Sequence, residues 1–122
     1  MIKKLLIKLS QIYKKKRVNN CLNLAGNTNV TELIEKISNL DLFITGDSGP
    51  MHIAAAFDIP TVCIFGPTKL DETSQWLNNS SKVVSKNLEC QPCMKRICPL
   101  NHHNCMVKIG TSEVLNAIEM IN

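Results

Sequence analysis

The stretch Asp41-Leu42-Phe43-Ile44-Thr45-Gly46-Asp47-Ser48-Gly49-Pro50-Met51-His52-Ile53-Ala54-Ala55-Ala56-Phe57 decides the architecture. Asp41–Thr45 is an apolar run stopped by Gly46, the pattern of a buried strand. Pro50 suits a first helical position, where the N–H it lacks would have no intrahelical partner, and the Ala-rich segment Pro50–Phe57 continues the helix. A second buried strand follows in Thr61-Val62-Cys63-Ile64-Phe65, closed by Gly66-Pro67. Working outward, Asn29 and Glu32 resemble a capping box ahead of a short helix over Thr31–Leu40. Val18–Leu24 and Lys82–Ser85 read as short strands, Leu88–Met106 as a cysteine-bearing loop, and Ser112–Ile121 as a last helix capped by Thr111 or Ser112. Short apolar strands alternating with helices predict an α/β fold with a parallel sheet. Ligands of such sheets sit beyond the carboxyl ends of the strands, so chemistry is expected in the loops after Thr45 and Phe65.

A chain of 122 residues has room for a single domain, taken as residues 1–122. With 44% hydrophobic and 20% charged residues the composition is globular. No apolar run approaches the roughly 18 residues that cross a bilayer. Met1–Ile7 has the positive flank of a signal peptide, but Lys8 breaks its apolar stretch too early for export. A cytoplasmic protein is expected. The net charge of +4 is uneven, since residues 1–17 hold seven of the fourteen basic residues and no acid precedes Glu32. Ile2, Leu5, Leu6 and Leu9 recur at helical spacing among those lysines, which predicts a basic amphipathic helix over 1–17. Such an end is a solvated face or makes peripheral contact with an anionic membrane. Nucleic acid is not expected as a partner, because Tyr13 is the lone aromatic there and no recognised motif accompanies it.

The loop Asp47-Ser48-Gly49-Pro50-Met51-His52 can be read as an anion site. The first turn of a helix exposes unpaired N–H groups and a partial positive charge, and both favour phosphate. Gly49 lets the backbone come close to a ligand. Ser48 can cap the helix or donate to a phosphate oxygen, and His52 can donate to the same anion. Asp47 would repel phosphate, so it fits a role in holding the loop or binding a sugar hydroxyl. An ordinary capped strand–helix turn has the same pattern.

Asp47 to Ala56, with Ile59-Pro60 and Phe65-Gly66-Pro67-Thr68, resembles the signature of family-9 glycosyltransferases, which transfer heptose from ADP-heptose to the lipopolysaccharide inner core. The likeness runs from about Leu24 to Ile109. It implies a Rossmann-like sheet, the carboxyl-terminal half of a GT-B glycosyltransferase. It places the donor diphosphate on Asp47, Ser48, Gly49, Pro50, Met51 and His52, the adenine side near Gly26–Thr28, and Gly66 and Thr68 in the next loop along the edge. An inverting transferase needing no cofactor for the chemistry is implied. In that family the catalytic base and the acceptor site belong to an amino-terminal lobe that this sequence does not match. The expectation is therefore a donor-binding fragment, inactive alone, with no catalytic residue of its own. It would meet the lipopolysaccharide core acceptor through the missing lobe.

Cys21 and Cys63 are isolated among apolar residues and read as core. Cys90-x2-Cys93-x4-Cys98-x6-Cys105, with His102 and His103 in the last gap, has the chemistry of a structural zinc site. Reduced thiols and disulfides are the alternatives, and a cluster of at least three sulfurs is the expectation. A non-catalytic four-cysteine metal-binding or adaptor module with a relic nucleotide site is the alternative function.

Overall fold

The computed structural model describes residues 21–121. The chain divides into two compact units, Met1–Leu33 and Ile34–Asn122. The basic helix expected over 1–17 lies outside the described residues, as do Val18 to Asn20 of the expected first strand; Cys21–Leu24 forms no strand. In the first unit a turn at Gly26, whose φ of 77° suits glycine, is closed by the Asn27 N–H donating to Leu24 O at 3.0 Å. The capping box forms as its residue types require. Asn29 Oδ1 accepts from the Glu32 N–H at 2.9 Å and Glu32 Oε2 accepts from the Asn29 N–H at 2.8 Å. It opens α1, Val30–Ser38.

The second unit is built on three parallel strands, β1 (Phe43–Gly46), β2 (Thr61–Ile64) and β3 (Ser81–Val84), in the order β1-β2-β3. The register aligns Phe43 with Thr61 and Thr61 with Ser81, so Gly46, Ile64 and Val84 end at one level. The loops that follow them therefore share one edge. Helix α2 (Gly49–Ala56) packs on β1 and β2, and α5 (Thr111–Glu119) on β2 and β3. Two single-turn helices, α3 (Leu70–Thr73) and α4 (Asn104–Val107), interrupt the connections. Both are too short for a periodic signal, and α4 ends what the sequence presents as continuous loop.

Central position explains the apolar run of β2, since a parallel strand covered on both faces has no polar side. Alternation sends Cys63, with Phe65, toward Met51 of α2. Val62 faces the other way, against Val84 and Ala117, with Leu42, Ile109, Val114 and Ile118 around them. The β1 run is not buried as its composition suggests: Ile44 is 46% exposed. Ile44 shares a face with Leu42, and α5, packed on β2 and β3, leaves that face of β1 open. The cap of α5 also differs from expectation. Gly110, not Thr111 or Ser112, holds that place, and its N–H donates to Glu113 Oε2 at 2.8 Å. With Lys86 Nζ 2.7 Å away, that bond holds the Glu113 carboxyl below the usual range. Among the described residues no helix is long and apolar enough to cross a membrane.

Candidate functional site

The β1–α2 turn stands at the shared carboxyl edge. Ser48 is extended (φ −164°, ψ 166°) and precedes Gly49, the first residue of α2. Its hydroxyl does not cap the helix; it turns back to donate to Gly46 O at 3.2 Å, with Thr45 Oγ1 at 3.4 Å. The side chain thus braces the turn, and the opening N–H groups of α2 receive no bond from it. A Cβ built on Gly49 would meet nothing within 4 Å, so the space in front of this helix end is open. His52 is exposed on the first turn, and Pro50, beside it, removes one N–H that would otherwise need a partner.

Asp47 is the member that sequence chemistry finds awkward, and its place resolves the difficulty. Its Oδ2 accepts a 2.7 Å hydrogen bond from Thr73 Oγ1, at the end of α3. The carboxylate ties two loops of the edge together through that bond. Thr73 was not legible as its partner, because the two are 26 residues apart and share no local pattern. Behind the turn, Cys63 is fully buried, and burial with the nearby Asp47 charge pushes its thiol up to about 11. Met51, although inside the motif, points inward and is fully buried against Cys63 and Phe65. The contiguous motif therefore splits into outward and inward members.

Thr68 lines a cavity of about 280 Å³ beyond β2 and β3, together with Phe65, Asp71, Ser85 and Asn87. Its Oγ1 is buried without a hydrogen-bond partner, an unmet polar group of the kind that a ligand satisfies. Lys69 also lines this cavity, but its amine is engaged by Glu72 at 2.7 Å, which raises its pKa. Gly66 is buried for a packing reason. A Cβ there would stand 2.5 Å from Met106 Sδ and 2.9 Å from its Cγ. Thr28 belongs to the first unit, between the Gly26 turn and α1.

A second cavity, of about 110 Å³, is lined by Cys90, Cys93, Cys98 and Cys105 with His102 and His103. All four thiols are free. Among the described residues no three His, Cys, Asp or Glu side chains stand in an arrangement that could hold an ion. Backbone N–H groups of His103, Leu100, His102 and Asn101 face Cys98 and hold its pKa down, whereas burial pushes the Cys105 thiol up.

Comparison with known proteins places the chain among relatives of one kind. The chain is 44% identical over 112 residues to lipooligosaccharide heptosyltransferase 2 of Campylobacter jejuni, a match covering 92% of the chain and 35% of that protein. It is 30% identical over 101 residues to lipopolysaccharide heptosyltransferase 2 of Salmonella typhimurium, covering 83% of the chain and 29% of the relative. Lipopolysaccharide heptosyltransferase 1 of Pseudomonas aeruginosa is 38% identical over 52 residues, 43% of the chain and 14% of the relative. The chain thus spans about a third of the length of its first relatives. No solved structure matches it. The family model for glycosyltransferase family 9 (heptosyltransferase) matches residues 7–104, and with these relatives it establishes that the chain belongs to glycosyltransferase family 9.

Proposed function

We propose that this chain binds the diphosphate of a nucleotide-sugar donor, ADP-heptose, for transfer of heptose to the lipopolysaccharide inner core. It acts as the donor-side part of the transferase, in the cytoplasm and peripheral to the inner membrane, with the acceptor held by another part of the full protein. The observation that supports this best is the open helix end at Gly49, flanked by Ser48 and His52 and set on the carboxyl edge of a parallel sheet. Helix N–H groups and the positive end of the α2 dipole favour an anion there. They would also offset the negative charge that grows on a departing diphosphate. The unpartnered Thr68 hydroxyl supplies a further polar group along the edge.

Isothermal calorimetry with ADP tests the reading. Gly49→Val faces open space, so the fold tolerates it while the ligand's approach is blocked. His52→Ala removes an exposed donor. Each variant is expected to weaken ADP binding by roughly 1–3 kcal/mol, the value of a charge-assisted hydrogen bond. Undiminished affinity in both removes this loop from the site.

A further inference from the structure

Leu88 to Asn101 carries no helix or strand, yet two bonds hold it at the carboxyl edge of the sheet. The Met94 N–H donates to Pro67 O at 2.8 Å, and Gln91 Nε2 donates to Gly66 O at 2.7 Å. Helix α4 follows and buries Cys105. From that frame apolar side chains turn outward. Ile97 is 80% exposed and Val107 73%, and Met94 and Leu100 are more than half exposed. Single exposed apolar residues are ordinary, whereas several on one anchored segment mark a contact surface. Cations are interleaved with them: Lys95 and Arg96 precede Ile97, and Lys108 follows Val107. All three are exposed, and no acid occurs from Cys90 to Ser112. Among the described residues the ion pairs are Lys69–Glu72 and Lys86–Glu113, so none of the three is neutralised. Lys95, Arg96, Pro99, Leu100 and Met106 line one cavity, which sets cations and apolar groups around the same mouth.

We propose that this loop is the surface by which the chain rests on an anionic lipid bilayer. The proposal rests on the peripheral placement argued above and gives that placement its residues. A soluble anion such as phosphate needs the cations but has no use for the exposed Ile97, Leu100 and Val107. An uncharged protein surface uses the apolar groups but leaves three cations unmatched. A nucleic acid favours stacking aromatics, and no Phe, Tyr or Trp lies between Leu88 and Gly110. A bilayer with acidic headgroups uses both sets: Lys and Arg meet the negative surface, and apolar side chains enter the boundary beneath it. Entry must be shallow. Backbone N–H and C=O groups of an irregular loop are costly in hydrocarbon, so they stay among hydrated headgroups while side chains alone go deeper. The loop is bonded to Gly66 and Pro67, just past the end of β2, and so shares its edge with the β1–α2 turn. Docking there turns the proposed donor site toward the bilayer, where an acceptor carried on lipid lies.

Flotation of the whole chain with phosphatidylcholine vesicles, with and without phosphatidylglycerol, tests this. Binding is expected to the anionic vesicles alone. Lys95→Gln with Arg96→Gln should lower partitioning roughly 30-fold, the loss of two cations at an acidic surface. Ile97→Ser with Leu100→Ser should lower it by at least about tenfold. Trp76 is as exposed as Ile97, but its neighbour Asn78 bonds to Ile59 ahead of β2, at the opposite edge. Trp76→Ser should therefore leave partitioning unchanged. Residues 1–17 carry seven further cations, so a second measurement reads position directly. In a Trp76→Phe background, the indole of Ile97→Trp should shift its emission to the blue and be quenched by acyl-brominated lipid. Vesicle-bound protein with an unquenched indole overturns the proposal and removes this loop alone. A chain that floats with neither vesicle overturns it too, and removes the peripheral placement as well. Undiminished binding by the Ile97→Ser, Leu100→Ser variant also overturns it, since a site for soluble anions behaves in that way. Calorimetry with ADP, run without lipid, judges the donor loop separately.

Discussion

Met51 and His52 are neighbours in one motif, and their exchange for alanine should have opposite consequences. Met51 is fully buried, in a cluster with Cys63 and Phe65 that joins α2 to the central strand. Met51→Ala removes Cγ, Sδ and Cε from that cluster and leaves a void. Methionine-to-alanine changes in cores cost about 2–5 kcal/mol, rising with the volume that fails to collapse. Here the void is walled on one side by β2, which hydrogen bonds hold on both edges, and the Phe65 ring is itself fully buried. Collapse is therefore limited, and about 3 kcal/mol is expected. That is a large share of the roughly 5–15 kcal/mol of a small domain. His52→Ala, on the exposed face, should change stability by less than about 0.5 kcal/mol while weakening ADP. Urea unfolding followed by far-UV circular dichroism measures both; Trp76, 82% exposed, is a poor reporter. Equal destabilisation by the two variants, or an unchanged urea midpoint for Met51→Ala, would refute the inward and outward assignment.

Gly66→Ala should destabilise by about 1 kcal/mol, the low end of overpacking, because Met106 is 44% exposed and can swing away from the new Cβ. Chemical denaturation checks this, and a loss above about 3 kcal/mol would mean that Met106 cannot yield. The Cys63 thiol, raised from 9.0 to about 11, keeps its proton in the fold, so the unfolded chain ionises first as pH rises. Stability should therefore fall as pH climbs through 9 toward about 11, and Cys63→Ala should flatten that limb after its own constant loss. A wild-type midpoint that does not fall across this range would contradict the assignment.

Strands β1 and β2 were legible because each carried its own stop signal. Gly46 ends β1, and Gly66-Pro67 follows β2. The capping box at Asn29 and Glu32 was legible for the same reason, since both partners lie within one turn of chain. Burial of β1 was overstated because an apolar run states what can be covered, and α5 covers only β2 and β3. The Ser48 hydroxyl shows the same limit. Its residue type fits a cap, but the carbonyl of Gly46 lies behind it and takes the bond instead. The family resemblance placed Met51 among donor contacts, although its side chain is fully buried. Helical rotation of about 100° per residue separates it from His52 and turns it to the core.

That rotation also accounts for why the motif is contiguous although its tasks differ. A loop that presents backbone N–H groups to an anion must be held from behind, because nothing in front of it is rigid before the ligand arrives. Met51 fixes the helix to β2 from within the core. Ser48 and Thr45 fix the turn to the last carbonyl of β1. Asp47, whose charge would oppose a phosphate, is drawn aside by the Thr73 hydroxyl and so binds the first edge loop to the second. Gly49 alone is left without a neighbour on its open side. Each inward residue thus fixes the position of an outward one. On the proposed reading a substitution in either set weakens donor binding, and only stability measured beside affinity separates the two causes.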